Sequence, residues 1–148
     1  MMKLFSTFLI LLINHSVLAQ PLILVTEEEM VSSNQNKSRL TPKATIVPNA
    51  PSIDLLAPQL GSTVSSPTQI DLKFLPKNPA VVKPETFKAY YGTFQVDITS
   101  RLLKVAKVTT QGVNVPEASL PKGSHKITLN IEDTEGRIGS RTIEFEVR

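Results

Sequence analysis

Short apolar alternations dominate the last two thirds of this chain. Within residues 51–148, runs in which every second residue is apolar are separated by Pro, Gly, Asn and Asp. A period of two is the pattern of a strand that buries one face, and several such strands at regular spacing are typical of an antiparallel β-sandwich. We therefore predict an all-β fold over residues 51–148, with about seven strands.

The strongest alternations predict strands early in this region and a hairpin at its end. In each strand the apolar residues share one parity and the polar residues the other, so one face is predicted to lie in the core. Residues 133–136 are predicted to form the turn of the final hairpin. The predicted inward-facing residues are Ile53, Leu55, Ile70, Leu72, Phe74, His125, Ile127, Leu129, Ile131, Ile143, Phe145 and Val147.

A second hairpin is predicted in the middle of the region. Residues 87–90 and 94–97 flank Gly92, and glycine takes the positive φ that a tight turn requires. One short helical turn is predicted to follow, because Asp97 or Thr99 can cap it with a side-chain oxygen.

The first nineteen residues have a different pattern. Lys3 precedes an apolar run, and the small residue Ala19 follows it. This order is that of a secretory signal peptide over residues 1–19, with a cut predicted after Ala19. The run is about ten residues, shorter than the roughly 18 to 20 that cross a bilayer, so no transmembrane segment is predicted in the mature chain. The mature protein is expected in the periplasm or outside the cell.

Residues 20–50 are predicted to form a flexible linker. They combine three adjacent glutamates with a polar stretch and several prolines. Few apolar side chains are present to offset the roughly 1–2 kcal/mol of backbone entropy that each ordered residue loses. Residues 22–25 are the exception, and a short strand or a partner-binding segment stays open there. The predicted organisation is thus a signal peptide, a linker and a β-sandwich domain over residues 51–148.

Composition excludes several classes of function. The chain has no cysteine, so it has no disulfide, no thiolate nucleophile and no thiolate metal ligand. Of its 16 basic residues Lys3 leaves with the signal peptide, and the other basic residues nearly balance the 13 acidic ones. This balance does not indicate a nucleic-acid partner.

Catalytic groups are scarce in the sequence. His125 is the one histidine after the signal peptide, and Met30 is the one methionine, so copper ligands are too few. Ser124 precedes His125, but adjacent strand residues point to opposite faces and do not form a Ser-His pair. We expect His125 at the edge of the sandwich, bonded to a backbone carbonyl. We predict no enzyme activity and no cofactor.

Three carboxylates lie close together at the final turn: Glu132, Asp133 and Glu135. Sugar cleavage needs two carboxylates that face each other across a cleft, which a convex hairpin tip does not provide. Asp133 and Glu135 are weak calcium candidates, because calcium takes six to eight oxygen ligands and this turn offers fewer. A calcium-dependent adhesive module stays open as an alternative function.

Several motifs resemble those of a bacterial immunoglobulin-like (fibronectin III-like) domain. They are Pro51-x-Ile53, the pattern P-x-x-G-x-x-V over residues 58–64, L-P-x-G-x-H over residues 120–125 and D-x-x-G-R over residues 133–137. In that family the first two belong to the opening strands and the last two to the final hairpin. The resemblance implies a seven-stranded Ig-like antiparallel sandwich that serves as a spacer, adhesive or binding module. Fold does not settle function by itself.

The sequence favours an exported, non-enzymatic module that binds a protein or a cell-wall component through its surface. Residues 112–120 contain a proline, which predicts an edge strand or a crossing between sheets. Residues 62–65 are a second edge candidate, and an extended segment can add to such an edge through main-chain hydrogen bonds. Tyr90 and Tyr91 are candidate contacts, since one of two adjacent strand residues faces outward. Arg101 and Lys104 are further candidates, as part of a basic patch. A secreted hydrolase accessory protein stays open as a third function.

Overall fold

Two stacked β-sheets surround one apolar core in the computed structural model, which describes residues 23–35 and 47–148. The predicted signal peptide lies outside the described residues, as do residues 36–46 of the predicted linker. The prediction of a predominantly β fold in two sheets is confirmed.

The described residues form nine strands and two helices. In chain order they are α1 (Glu27–Gln35), β1 (Ser52–Ala57), β2 (Thr63–Val64), β3 (Thr68–Leu75), β4 (Val82–Tyr91), β5 (Val96–Asp97), α2 (Thr99–Leu102), β6 (Lys107–Val108), β7 (Gly112–Ala118), β8 (Gly123–Asp133) and β9 (Ile138–Val147). The count exceeds the predicted seven or so because β2, β5 and β6 are strands of two residues each.

The first sheet has the order β1-β3-β7-β6, and the second has the order β2-β9-β8-β4-β5. All neighbouring strands are antiparallel except β2, which pairs in parallel with the end of β9. The chain therefore contributes β1 to one sheet and the next strand, β2, to the other, so its opening segment links the two layers.

The core consists of the inward-facing residues of both sheets. Alternate residues of β3, β8 and β9 are buried, as the period-two pattern predicted. Of the predicted inward-facing set only Leu55 is half-buried, and the other members are buried. Burial of such aliphatic and aromatic side chains stabilises the fold by about 1.5–3 kcal/mol each.

The predicted central hairpin is formed by β4 and β5. Gly92 lies in its turn with φ +70°, and Phe94 belongs to that turn instead of a strand. The helical turn follows as α2, and the Thr99 amide donates to Asp97 Oδ1 (2.8 Å), so Asp97 supports the start of this turn.

The prediction of an edge strand at residues 112–120 holds only in part. β7 lies inside its sheet, because β3 pairs with one side and β6 covers the other side at Val113 and Asn114. β6 does not extend beyond these two residues, and Pro116 is exposed in the half of β7 that β6 does not cover. Because proline has no backbone N–H, it is tolerated at this position, where no hydrogen bond to β6 is needed.

Residues 23–35 differ from the predicted flexible linker. They contain the nine-residue helix α1, and Leu24 and Val25 before it belong to the core. Leu24 and Val25 contact core residues of the sandwich, and the composition of the segment alone does not report such contacts. No helix in the described part of the chain is long and apolar enough to span a membrane.

Candidate functional site

Residues 23–35, here named the N-terminal strap, dock on the end of the sandwich. Ile23 forms an isolated parallel bridge with Ser119, directly after the end of β7. The Leu24 amide donates to the Ser119 carbonyl (3.1 Å). The strap thus starts with a main-chain contact to the residue that follows β7.

Two aliphatic side chains anchor the strap in the core. Leu24 is 1 % exposed and Val25 is fully buried, whereas Ile23 before them is 62 % exposed. Met30 packs against the same core from one turn further along α1. Each of the two anchors contributes about 1.5–3 kcal/mol of burial, so they provide most of the apolar attachment of the strap.

A capping box starts α1. The Glu29 amide donates to Thr26 Oγ1 (3.3 Å), and the Thr26 amide donates to Glu29 Oε2 (3.0 Å). Two amides that the first turn leaves free are thereby satisfied. Nine residues are fewer than the roughly 12 to 15 that an isolated helix needs for stability in water, so α1 depends on its docking.

Glu29 also joins the strap to α2 through a bidentate ion pair. Both Arg101 Nη atoms donate to its carboxylate, each at 2.7 Å, and Arg101 Nη1 also lies 3.3 Å from the Leu24 carbonyl. Hydrogen bonds from Arg101 hold the pKa of Glu29 below its ordinary value, against the opposing effect of burial. The same pair raises the pKa of Arg101.

We predict that this ion pair makes strap docking sensitive to acid. A carboxylate with a lowered folded-state pKa stabilises the docked state above its unfolded pKa, and this contribution is lost as pH falls through the folded pKa. At pH 6, Glu29→Gln is expected to weaken strap docking by about 1–2 kcal/mol, or roughly 5- to 30-fold in the opening equilibrium. Hydrogen exchange of the strap amides measures this opening.

The pH series contains its own control. The difference in strap protection between the unchanged chain and Glu29→Gln is expected to shrink as pH falls below the ordinary pKa of a glutamate, because the carboxylate of the undocked strap then takes up a proton and favours opening. A difference that stays constant from pH 6 to pH 3 would contradict a role for the charge.

The second half of the strap is held by the turn between β4 and β5. The Thr93 amide donates to Ser33 Oγ (3.1 Å), and Thr93 Oγ1 donates to the Ser33 carbonyl (3.2 Å). Asn34 Nδ2 donates to the Ser124 carbonyl at the start of β8 (3.2 Å). A Cβ at Gly92 would lie 2.5 Å from Ser33 Oγ, so a glycine is required both by the turn and by the approach of α1.

A buried polar network lies near this contact. Tyr91 is 1 % exposed and His125 is 2 % exposed, and the Tyr91 hydroxyl lies 2.9 Å from His125 Nδ1. His125 Nε2 lies 2.7 Å from the Pro121 carbonyl, which can only accept, so this nitrogen carries the proton. The Tyr91 hydroxyl is the partner of the other ring nitrogen, Nδ1. Burial, together with the charge of Glu29, raises the pKa of Tyr91 to about 12.

The four predicted contact residues are not in one patch. Tyr91 and Arg101 both lie at the strap junction, where Tyr91 is buried and Arg101 is paired, so neither is a free surface contact in this structure. Tyr90 is half-buried on the outer face of β4, and Lys104 is exposed after α2. His125 is bonded to a backbone carbonyl, as its sequence position indicated.

The acidic turn between β8 and β9 is organised around Arg137. Asp133 Oδ1 accepts from the amides of Glu135 (2.9 Å) and Arg137 (3.0 Å), and its Oδ2 accepts from Arg137 Nε (2.8 Å). Glu135 pairs with Arg137 Nη1 (2.9 Å). Burial opposes ionisation of Asp133, but the bonds from Arg137 and Glu135 outweigh it and lower its pKa. Both calcium candidates therefore bond to Arg137, and no cluster of three metal-binding side chains occurs in residues 23–35 and 47–148.

A small apolar groove lies between α1 and the turn before β5. It encloses about 260 Å³, and its lining includes Glu28, Ser32, Phe94 and Val96. Phe94 is a large apolar side chain in an otherwise polar turn, and it is 57 % exposed. Exposed apolar side chains that gather beside a groove mark an interaction surface more strongly than isolated ones do. We name this feature the β5 groove.

Glu29 and Ser33 are the residues of this candidate site that the sequence did not predict. Leu24 and Val25 lie in the segment where the sequence left a short strand or a partner-binding role open. One sequence signal was present, because Thr26-x-x-Glu29 after two apolar residues is the pattern of a capping box. The fold and this site define a β-sandwich module closed at one end by its own N-terminal segment. The chain matches no protein-family model and no curated protein.

Proposed function

We propose that this protein is an exported, non-enzymatic Ig-like module that acts as a binding, adhesion or scaffold element in the periplasm or outside the cell. The signal peptide predicted over residues 1–19 supports export. Its partner is a protein or a cell-wall component, contacted through the surface of the sandwich.

The strand order supports the Ig-like assignment. The order β1-β3-β7-β6 corresponds to the A-B-E-D sheet of immunoglobulin domains, and β9-β8-β4 corresponds to G-F-C. In this comparison β2 corresponds to a short strand next to strand G, and β5 corresponds to an additional strand next to strand C. The motifs over residues 58–64 and 120–125 fall at the transitions where this arrangement needs turns.

The internal use of His125 is the observation that carries the non-enzymatic assignment. Both ring nitrogens have a partner within hydrogen-bond distance inside the protein, and the ring stacks on Phe145 with centroids 5.7 Å apart. A general base must instead reach a proton of the substrate. Its position therefore supports a structural role, and it speaks against the hydrolase alternative.

The β5 groove is the contact surface that we favour. Phe94 and Val96 present apolar area next to the exposed carboxylate of Glu28, which suits a protein partner with an apolar side chain beside a basic one. Glu28 remains ionised down to a pH below its ordinary titration range, because its backbone hydrogen bond and Thr26 lower its pKa.

The test is a capture experiment with the full chain. The tagged protein is crosslinked in envelope extract of the source cells, and bound proteins are quantified by mass spectrometry. We expect Phe94→Ser with Val96→Ser to reduce specific capture at least tenfold. Ile138→Ser is the matched control, because Ile138 is also exposed (52 %) but starts β9 opposite Glu132, at the end of β8 away from β5. Equal capture by both variants would contradict the proposed surface.

A chelator distinguishes the calcium-dependent alternative. Because Asp133 and Glu135 already pair with Arg137, we expect excess EDTA to change the melting temperature by less than about 1 °C. A calcium-bound native state would lose several degrees, since a ligand that binds only the folded state stabilises it. Differential scanning calorimetry with and without added calcium measures the effect.

A further inference from the structure

We propose that the groove occupied by the strap is a peptide-binding groove, and that residues 23–35 are a resident ligand that a partner segment of the same chemistry displaces. The identity of a foreign partner rests on the proposed function, whereas the exchange itself does not. The contacts that the strap makes in the groove show which kind of peptide the groove binds.

The receptor side of the groove presents three different kinds of contact in sequence along the strap. The Ser119 carbonyl accepts from the strap backbone, the end of the core receives Leu24 and Val25, and Arg101 receives a carboxylate in a bidentate manner. Further along, Thr93 donates to the strap through both its amide and its hydroxyl. Main-chain pairing, apolar pockets and a charge-specific contact are the elements of peptide recognition on a sheet edge.

These contacts specify the ligand. It is an extended segment that carries two neighbouring large aliphatic side chains and continues into a short helix with a carboxylate in its first turn. The carboxylate must lie four residues after the second of the two aliphatic positions, as Glu29 lies after Val25. A basic residue at that position would face Arg101 and be rejected.

Two observations indicate that the strap can exchange. α1 is too short to be a stable helix alone, so the strap loses its order when it leaves the groove. The junction is also open to solvent: a groove of about 520 Å³ runs beside Val25, Ser119 and Pro121, and Ile23 is 62 % exposed. The strap can therefore begin to detach at Ile23 and Leu24, and a competing segment can then pair with Ser119.

The experiment measures binding of a fluorescent peptide with the sequence of residues 22–35 to the full chain, by anisotropy at pH 7. The chain with Leu24→Ala and Glu29→Gln has a weakened strap and an unchanged receptor side. We expect this variant to bind the peptide at least tenfold more tightly than the unchanged chain does. Adding Arg101→Ala to the variant, or Glu29→Lys to the peptide, is expected to reduce that affinity at least tenfold.

A locked strap provides the second comparison. Ser33→Cys with Thr93→Cys allows a disulfide between the strap and the turn, because the chain has no other cysteine and these residues are in contact. The oxidised chain is expected to bind no peptide, and reduction is expected to restore the level of the unlocked chain.

Absence of binding to the strap-weakened variant would overturn the proposal, whether that variant is folded or unfolded. If the variant is folded, the groove does not bind a separate peptide. If it is unfolded, the strap is an integral part of the sandwich. Peptide exchange without capture from envelope extract would leave this inference standing and remove the proposed function. Capture through the β5 groove without peptide exchange would do the reverse.

Discussion

Replacing Gly139 by alanine is expected to destabilise the protein by about 3 kcal/mol or more. A Cβ at this position would lie 1.8 Å from the Pro51 carbonyl oxygen. Both groups belong to backbone, so no side-chain rotation relieves the overlap. Either β9 or the start of β1 must move, and Arg141 Nη1, which donates to the Ile53 carbonyl (2.7 Å), would lose its partner.

Two controls separate this clash from other effects of the substitution. Ser140→Ala, at an exposed neighbour on the same strand, is expected to change the free energy of unfolding by less than about 0.5 kcal/mol. Gly136→Ala places a methyl group in open space but at φ +76°, so it is expected to cost about 1–2 kcal/mol from backbone strain alone. Urea unfolding followed by circular dichroism gives all three values. A cost at Gly139 no larger than at Gly136 would show that β1 yields easily.

Replacing His125 by alanine is expected to cost about 2–4 kcal/mol of unfolding free energy. The ring stacks on Phe145, and its nitrogens satisfy the buried Tyr91 hydroxyl and the Pro121 carbonyl. The substitution leaves a cavity beside Phe145 and removes the partner of both polar groups. Lys122→Ala, at an exposed residue nearby, is expected to be neutral in the same urea titration.

A double-mutant cycle tests whether the loss arises from the polar network. Tyr91→Phe and His125→Ala are expected to be non-additive by about 0.5–1 kcal/mol, because each alone breaks the same hydrogen bond. Additive effects would assign the whole loss to packing. If His125→Ala instead abolished a hydrolytic activity while leaving stability unchanged, the structural role of His125 would be wrong and the hydrolase alternative would return.

The predicted core agrees closely with the structure because each prediction rested on a local property. Whether Ile127 and Leu129 face inward depends only on the alternation of a strand and on the contrast between apolar and polar side chains. The same holds for the turns, where Gly92 and the acidic residues after Ile131 mark changes of direction. Neighbouring residues therefore carried enough information for the strands and the final hairpin.

The order of the strap is not a local property. Leu24 and Val25 precede a polar stretch, and α1 is short and carries three adjacent glutamates. The segment becomes ordered because the sandwich supplies an apolar recess for the anchors and Arg101 for Glu29, which lies 72 residues earlier in the chain. The composition of residues 20–50 gives no information about a contact with a residue that far along the chain.

For the candidate contact residues, too, the sequence indicated local properties and the tertiary structure decided the rest. The sequence indicated that one of Tyr90 and Tyr91 faces outward, but the burial of Tyr91 under a helix depends on where α1 docks. Arg101 looked like part of a basic patch until Glu29 was brought to it. Phe94 was expected in a strand, and its exposure in a turn beside α1 is decided by the packing of two distant segments.

The sequence by itself determined the alternation of buried and exposed residues, and with it the strands and their inward faces, because these depend on side chains one to three positions apart. Only the tertiary structure decided which strands became neighbours, that Arg101 pairs with Glu29, and that the first described residues close the sandwich. Those outcomes depend on hydrogen bonds and apolar contacts between residues far apart in the chain, and such contacts exist only once both sheets have formed around a common core.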